Sequence, residues 1–254
     1  MTDLVVAVLL GFVSGILSGL FGVGGGIVMT PGIQVFLGAA PIVALATPLP
    51  VILPTAITGA LTYRKAGEID ERAAMWMAVP GIAAAVVGAA LTKLIDTDLL
   101  LVVTAILLAY QAIGILRGRR AGHKEPAREA TPRTYAGIGV AAGLISGLLG
   151  IGGGLIMMPL LVGWLGMPLK RALGTSLLAI VVLVIPGTIV HAALGHIDWA
   201  IFLAVTVGAV PGAMIGARLA LGSQERTLRL AVGSFLLIVA AAYGVSETLT
   251  FLQS

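Results

Sequence analysis

The sequence predicts an all-α, polytopic membrane protein built from two repeats of inverted topology. Three observations predict it: a very apolar composition, a glycine-rich segment that occurs twice, and a one-sided distribution of basic residues. Hydrophobic residues make up 59% of the 254 residues, charged residues make up 10%, and the mean hydropathy is +1.10. A soluble domain contains about 25% charged residues. Such a composition therefore indicates helices that lie in a lipid bilayer.

A fourteen-residue segment occurs twice and divides the chain into two halves. Residues 18–31 and 146–159 are identical at nine of fourteen positions and lie 128 residues apart. A repeat of this kind indicates a duplication in which each copy heads one half. Both copies contain three consecutive glycines, and each glycine costs about 1 kcal/mol relative to alanine inside a helix. We therefore expect each triple glycine to break a membrane helix.

Each half is predicted to contain a glycine-broken helical hairpin followed by three transmembrane helices. A helix needs about 20 residues to cross the hydrocarbon core, so the short apolar pieces that follow the glycines cannot cross alone. We expect each piece to return along the helix before it. The predicted apolar segments are 4–22, 27–38, 41–63, 73–95 and 99–116 in the first half, and 135–149, 155–166, 172–194, 199–220 and 228–248 in the second.

The basic residues predict how these segments face. The predicted division is a first membrane repeat over 1–116, a basic linker over 117–133 and a second membrane repeat over 134–254. Loops rich in Lys and Arg remain in the cytoplasm, which places the linker inside. If the piece 135–166 returns to the side it entered from, fourteen of fifteen basic residues lie inside and only Lys93 lies outside. If it crosses once, the ratio falls to nine against six, so we expect inverted repeats with both termini outside.

The two glycine breaks form the predicted binding site. Each break precedes a new helix, whose first N–H groups have no internal partner and carry the positive end of the helix dipole. Glycine lets the backbone approach a ligand closely, as in phosphate-binding loops. Two such helix ends that meet at the centre would bind an anion, with nearby hydroxyl groups as further donors. The predicted substrate-binding residues are Ser18, Gly24, Gly25, Gly26, Thr47, Ser146, Gly152, Gly153, Gly154, Thr175 and Ser176.

Helix packing is the competing interpretation of the glycines. Gly15 and Gly19, like Gly143 and Gly147, have the small-xxx-small spacing that lets membrane helices approach closely. We assign these four to packing. Three glycines in a row exceed what packing requires, so we assign the two triple glycines to ligand binding.

Carboxylates are absent from the predicted spans. All eleven lie in loops or at span ends, whereas proton relays and cation sites of coupled transporters need an acid inside the bilayer. Asp70 and Asp198 occupy matching Ile-Asp turns and are expected to cap the helices that follow. We interpret His191 as an interfacial residue without chemistry. The chain has no cysteine, and we predict no catalytic residue, no metal site and no cofactor.

The doubled motif resembles the TauE/SafE family of sulfite exporters and organosulfur-anion permeases. The resemblance rests on the Gly-x-Gly-Gly-Gly-x-x-x-x-Pro segments at 22–31 and 150–159, on Gly-Thr-Ser at 174–176, and on the turns at 67–70 and 195–198. It implies a multi-pass permease of the cell inner membrane that moves small sulfur-containing anions such as sulfite, sulfoacetate or related sulfonates. The first half departs from the pattern because it has Ala-Thr-Pro where the second half has Gly-Thr-Ser.

Other classes of function remain open. The same scaffold can move another small organic or inorganic solute, because a fold does not fix its substrate. An intramembrane serine hydrolase would need Ser18 or Ser146 beside a base. The serine occurs in both halves, whereas His191 has no matching histidine in the first half, and this favours binding over catalysis. A purely structural membrane protein is the third class. The expected partners are a small anionic substrate and the lipid bilayer, without nucleic acid, and a homo-oligomer is left open.

Overall fold

The computed structural model describes residues 2–91, 113, 131–149, 152–235 and 237–238. All regular secondary structure in these ranges is helical. The predicted span 99–116, except residue 113, lies outside the described residues, as do most of the linker and the greater part of the span 228–248.

The helices follow the predicted order in both halves. In the first half they are α1 (Thr2–Phe21), α2 (Gly26–Leu37), α3 (Pro41–Ala46), α4 (Pro48–Lys65) and α5 (Glu71–Leu91). In the second half they are α6 (Pro132–Leu149), α7 (Gly154–Pro159), a π-helical turn (Leu160–Trp164), α8 (Leu169–Ala193) and α9 (Trp199–Gly222). Residues 225–235 are also helical.

Four helical segments among the described residues are long and apolar enough to cross a membrane: Asp3–Phe21, Ile42–Lys65, Leu169–Ala193 and Trp199–Gly222. Large apolar side chains cover their outer surfaces. On α9, for example, Leu203 and Val207 are 62% and 66% exposed. Contiguous apolar surface of this kind is stable against lipid and not against water. The polytopic, all-helical membrane class is therefore confirmed.

The predicted span 41–63 is confirmed as one apolar segment, Ile42–Lys65, whose helical hydrogen bonds are interrupted locally at Thr47. There α3 ends at Ala46 and α4 begins at Pro48, whereas the matching helix α8 runs without interruption. Pro48 and Pro50 have no N–H group to donate to the preceding turn, so they interrupt the ladder of helical hydrogen bonds. The second half has Ser176 where the first has Pro48, and its helix continues.

The helices of the two halves pack in matching pairs. The first helix of each half packs along a helix of the other half: α1 along α9, and α6 along α5. Side chains added at Gly15 and Gly19 would overlap the carbonyl groups of Ala209 and Ala213, and one at Gly143 would overlap that of Gly81. The assignment of these three glycines to packing is confirmed.

The matching helices α4 and α8 run antiparallel at the centre of the molecule. Gly59 lies against Leu177, whereas Gly187, further along α8, lies against Leu49, near the start of α4. The two members of each outer pair run parallel, since Gly11, Gly15 and Gly19 meet α9 in ascending order.

The described basic side chains collect at one end of this bundle. The start of α8 lies beside the α4–α5 turn, because Arg171 forms an ion pair of 3.5 Å with Asp70. It also lies beside the end of α9, because Lys170 Nζ donates to the Leu221 carbonyl at 2.6 Å. The turn between α8 and α9 lies at the opposite end, together with Thr47.

Candidate functional site

The glycines of each break adopt backbone conformations that other residues avoid. Gly24 and Gly25 have φ angles of 86° and 83°, and Gly152 and Gly153 have φ angles of 84° and 72°. A side chain at such angles collides with the backbone, so these four positions require glycine. The third glycine of each triplet, at 26 and 154, is the first residue of the new helix.

The two breaks touch each other. A Cβ atom at Gly154 would lie 2.7 Å from the Gly22 carbonyl oxygen and 3.0 Å from Val23 Cα. No side chain fits between them, which explains why Gly154 is glycine although its φ is helical. The two segments that the sequence predicts to meet are therefore in direct contact.

Backbone N–H groups at both breaks have no hydrogen-bond partner among the described residues. No acceptor within the described ranges takes a hydrogen bond from residues 23–27 or from residues 152–155. Both stretches are buried. The first paired amides are those of Val28 and Ile156, which donate to the Gly25 and Gly153 carbonyls at 3.2 Å. Buried N–H groups are almost always paired in native proteins, so these runs at the positive ends of two helices are candidate ligands for an anion.

Two serine hydroxyls flank the breaks. Ser18 Cβ lies 3.3 Å from the position that a Cβ atom at Gly25 would occupy, and Ser146 Cβ stands at the same 3.3 Å from that position at Gly153. Ser18 is fully buried and its hydroxyl has no hydrogen-bond partner. A buried hydroxyl without a partner costs about 1–3 kcal/mol. Ser18 is thus a side chain that no described residue pairs with, beside the first break.

Ser14 is a site residue that sequence reasoning missed. It lies one turn before Ser18, is fully buried, and its hydroxyl also has no partner. Its carbonyl oxygen lies 3.1 Å from the Cβ position of Gly25. The residue 128 positions later is Ala142, so comparison of the repeats does not reveal it. The i, i+4 spacing of Ser14 and Ser18 on one helix face was the available signal.

Thr47 and Thr175 anchor the turns of the opposite half. Thr175 Oγ1 accepts a hydrogen bond from the Asp70 amide at 2.9 Å, and Thr47 Oγ1 accepts one from the Asp198 amide at 3.1 Å. Asp70 Oδ1 in turn accepts from the Ala73 amide, and Asp198 Oδ1 accepts from two amides at the start of α9. The predicted helix caps are confirmed. The threonine oxygens position these turns, and a ligand role for them stays a prediction.

Ser176 links the central helix α8 to the first break. Its hydroxyl lies 2.9 Å from the Gly22 carbonyl oxygen and 3.0 Å from the Leu173 carbonyl oxygen, and its single proton serves both acceptors. The hydroxyl satisfies one carbonyl of the break and leaves the neighbouring N–H groups unpaired.

Ile52 and Ile180 close the centre of the molecule. They are matching residues, 128 positions apart, and both are fully buried. A Cβ atom at Gly24 would lie 3.1 Å from Ile52 Cγ2 and 3.5 Å from Ile180 Cγ2, and one at Gly152 would lie 3.5 Å and 3.6 Å from the same two side chains. Each isoleucine therefore contacts both breaks. Sequence reasoning missed them because they are aliphatic residues in an aliphatic helix.

The site contains no buried charge among the described residues. The buried polar side chains in those ranges all carry hydroxyl groups: Ser14, Ser18, Thr47, Thr55, Ser146, Thr175 and Ser176. His191 contacts His196, not a serine. A cleft of about 290 Å³ between α4, α5 and α8 lies elsewhere, lined by residues such as Ile57, Leu61 and Leu178. Among the described residues, the centre presents backbone groups and hydroxyls and pairs no serine with a histidine.

These features define a class: an integral membrane protein with four or more apolar spans around a buried, backbone-lined centre, as in membrane transporters. The chain belongs to the sulfite exporter TauE/SafE family, whose profile matches residues 7–243. It is 27% identical to the probable membrane transporter protein YunE of Bacillus subtilis, with 92% of this chain and 95% of the relative covered. A probable membrane transporter protein of Xylella fastidiosa strain Temecula1 is 30% identical, with 94% of each chain covered.

A third relative, the probable membrane transporter protein YdhB of Bacillus subtilis, is 33% identical over 83% of this chain and 88% of its own length. No solved structure matches the chain with significance. The predicted family is confirmed, and with it the assignment to membrane transport.

Proposed function

We propose that the protein exports small sulfur-containing anions, such as sulfite, sulfoacetate or related sulfonates, across the cell inner membrane. The observation that carries this proposal is the N–H groups of residues 23–27 and 152–155, which have no partner in the described part of the chain and lie in two breaks that touch. The free hydroxyl of Ser18 supports it as a further donor. The name of the family supports sulfite as the first anion to test. The site binds and releases its anion without covalent chemistry.

The proposed architecture is two inverted-topology repeats, with the basic end of the bundle in the cytoplasm. The antiparallel course of α4 and α8 supports it, because matching helices of repeats with the same orientation would run parallel. The grouping of Arg64, Lys65, Lys170 and Arg171 at one end supports the cytoplasmic assignment. Ser254→Cys should then react with a membrane-impermeant thiol reagent in intact cells, where the chain offers no other cysteine. Labelling only after the cytoplasm is opened would reverse the topology.

In the proposed transport step, the anion replaces the side chains of Ile52 and Ile180 as the neighbour of the two breaks. In the described conformation, Ile52 and Ile180 cover both breaks, so the centre is closed. An anion that enters from the cytoplasmic side must move these side chains aside to reach the amides. Backbone dipoles stabilise the anion without a buried Lys or Arg, so no fixed cation holds it back on the far side.

The membrane potential is sufficient to drive export. With the cell interior negative, each unit charge gains about 2.3 kcal/mol per 100 mV on leaving. At about 1.4 kcal/mol per decade, that is roughly a 40-fold concentration ratio. Among the described residues no carboxylate is buried, so we propose an electrogenic exporter that is not coupled to protons or sodium.

The test is sulfite efflux from proteoliposomes with an imposed potassium-diffusion potential. Efflux should accelerate when the vesicle interior is negative and slow when the potential is collapsed. Protein-free vesicles and vesicles with the Ile52→Phe, Ile180→Phe variant, which fills the centre, are the controls. Efflux that ignores the potential and follows a pH gradient would contradict the uncoupled mechanism.

The alternative is a permease for another small organic or inorganic solute. The donors of the proposed site favour this alternative. Amide and hydroxyl groups recognise the charge and size of an anion, and they do not distinguish a sulfur-containing anion from another of similar size. Competition of the same flux by sulfate, phosphate and lactate would measure this. If one of them is transported well and sulfite is not, the substrate proposal fails and the anion site stands.

A further inference from the structure

Two histidines face each other at the end of the bundle that lacks the basic cluster. His191 lies in the last turn of α8, and His196 lies in the turn that leads into α9. Their Nδ1 atoms are 3.2 Å apart, and the ring centroids are 5.4 Å apart. Both side chains are half-buried. Neither residue contacts the glycine breaks, so this pair is separate from the proposed anion site.

The backbone of the turn holds the two rings in fixed positions. The His196 amide donates to the His191 carbonyl at 3.0 Å, which closes the end of α8. Gly195 between them has a φ of 69°, as helix-ending glycines do. Two residues later, the Asp198 amide is bound to Thr47. Hydrogen bonds therefore fix the turn on both sides of His196 and hold the two rings in place.

Against the sequence-based expectation of no metal site, the geometry points to a binding site for a divalent transition-metal ion, with His191 Nδ1 and His196 Nδ1 as its protein ligands. Two nitrogen ligands at about 2.0–2.1 Å from a tetrahedral ion lie about 3.3–3.4 Å from each other. The observed 3.2 Å is close to this value and lies at the long limit of an N–H···N hydrogen bond, which is most often about 2.9–3.0 Å. Neutral imidazole is a preferred ligand of Zn²⁺, Cu²⁺ and Ni²⁺.

Water completes the coordination of the ion. No third His, Cys, Asp or Glu joins the pair in the part of the chain that the structure describes. Structural zinc sites have four protein ligands, so this one binds more weakly and exchanges its metal. A bound ion would tie the end of α8 to the α8–α9 turn. The matching positions in the first half are Tyr63 and Glu68, so the site exists at one end only.

Calorimetric titration of ZnCl₂ into the full-length protein, purified in detergent with a tag that contains no histidine, tests the site. We expect one saturable Zn²⁺ per chain, with the affinity weakened at least tenfold in His191→Gln and in His196→Gln. The third histidine of the chain, His123 in the linker, supplies the matched control, and His123→Gln should bind as the unmodified protein does.

A second readout excludes a merely structural effect of the substitutions. Excess Zn²⁺ should raise the unfolding temperature of the unmodified protein and of His123→Gln, because it binds only the folded state, and should leave His191→Gln unchanged. Equal Zn²⁺ affinity in the unmodified protein and His191→Gln, or no saturable binding, would overturn the site. Both measurements omit the transported anion, so their failure would leave the proposed export untouched.

Discussion

The two glycine breaks have the same backbone and different side-chain surroundings. Both contain consecutive glycines with positive φ, and both present N–H groups that no described residue accepts from. The first break lies beside the free hydroxyls of Ser14 and Ser18, and its Gly22 carbonyl accepts from Ser176. The second break has Ala142 at the position that matches Ser14. The residue of the first half that matches Ser176 is Pro48, which has no hydroxyl. The described glycines of the two breaks thus share a backbone conformation while the side chains around them differ, as the proposed backbone anion site would require.

The largest effect is expected from alanine at the second glycine of each break. Gly25→Ala and Gly153→Ala both force an L-residue into the left-handed region, at about 1–2 kcal/mol each. At Gly153 the new Cβ would also lie 2.9 Å from the Ala142 carbonyl oxygen, whereas at Gly25 it would lie 3.1 Å from the matching Ser14 carbonyl oxygen and from the end of Met29. We expect both variants to lose transport and Gly153→Ala to lose more stability, as measured by thermal unfolding in detergent.

Gly152→Ala is the matched control for this comparison. Its φ of 84° carries the same strain, but the nearest atoms would lie at an ordinary 3.5 Å. If Gly152→Ala lowers the unfolding temperature as much as Gly153→Ala does, the close contact with Ala142 is not the cause of the stability lost in Gly153→Ala. These contacts also mean that valine at Gly25 or Gly153 would test folding more than ligand binding.

The sequence predicted the elements whose causes are local. Apolar length defined the spans, triple glycine defined the breaks, and Ile-Asp turns defined two helix caps. It placed the helix restarts one residue late and missed the interruption at Thr47, although Pro48 and Pro50 were visible. Polar partners across 100 residues or more, such as Ser176 with Gly22 and Thr175 with Asp70, depend on how helices from different halves meet, and no local pattern encodes that.

A second comparison concerns the two threonines that hold the turns. Thr47→Val and Thr175→Val each leave one turn amide without its acceptor, at a cost of about 1–3 kcal/mol. Because the two hydrogen bonds are equivalent, at 3.1 Å and 2.9 Å, we expect equal losses of stability. Sulfite affinity in the same two variants decides the ligand role. An unchanged apparent KM would limit both residues to positioning, and a tenfold rise in either would restore that residue to the binding site.

Ser18 is expected to show opposite effects on stability and on binding. Ser18→Ala removes a buried hydroxyl that has no partner, so the protein should become about 1 kcal/mol more stable. A hydrogen bond to an anion contributes about 1.5–3 kcal/mol, so the apparent KM for sulfite should rise at least tenfold. Thr206→Val is the matched control, because Thr206, which lies on α9 and outside both breaks, also has a buried hydroxyl without a partner among the described residues. A stabilised Ser18→Ala protein with unchanged KM would remove Ser18 from the site.

The smallest effect is expected at the two turn glycines, where the halves are most alike. Gly67 and Gly195 have φ angles of 74° and 69°, and a Cβ atom at either position would have no neighbour within 4 Å. Alanine there adds only the strain of the left-handed conformation, about 1 kcal/mol. Gly67→Ala and Gly195→Ala should therefore lower the unfolding temperature equally and leave sulfite flux unchanged in metal-free buffer. If Gly195→Ala lowers the unfolding temperature clearly more than Gly67→Ala does, the two turns contribute unequally to stability, despite their matching backbones.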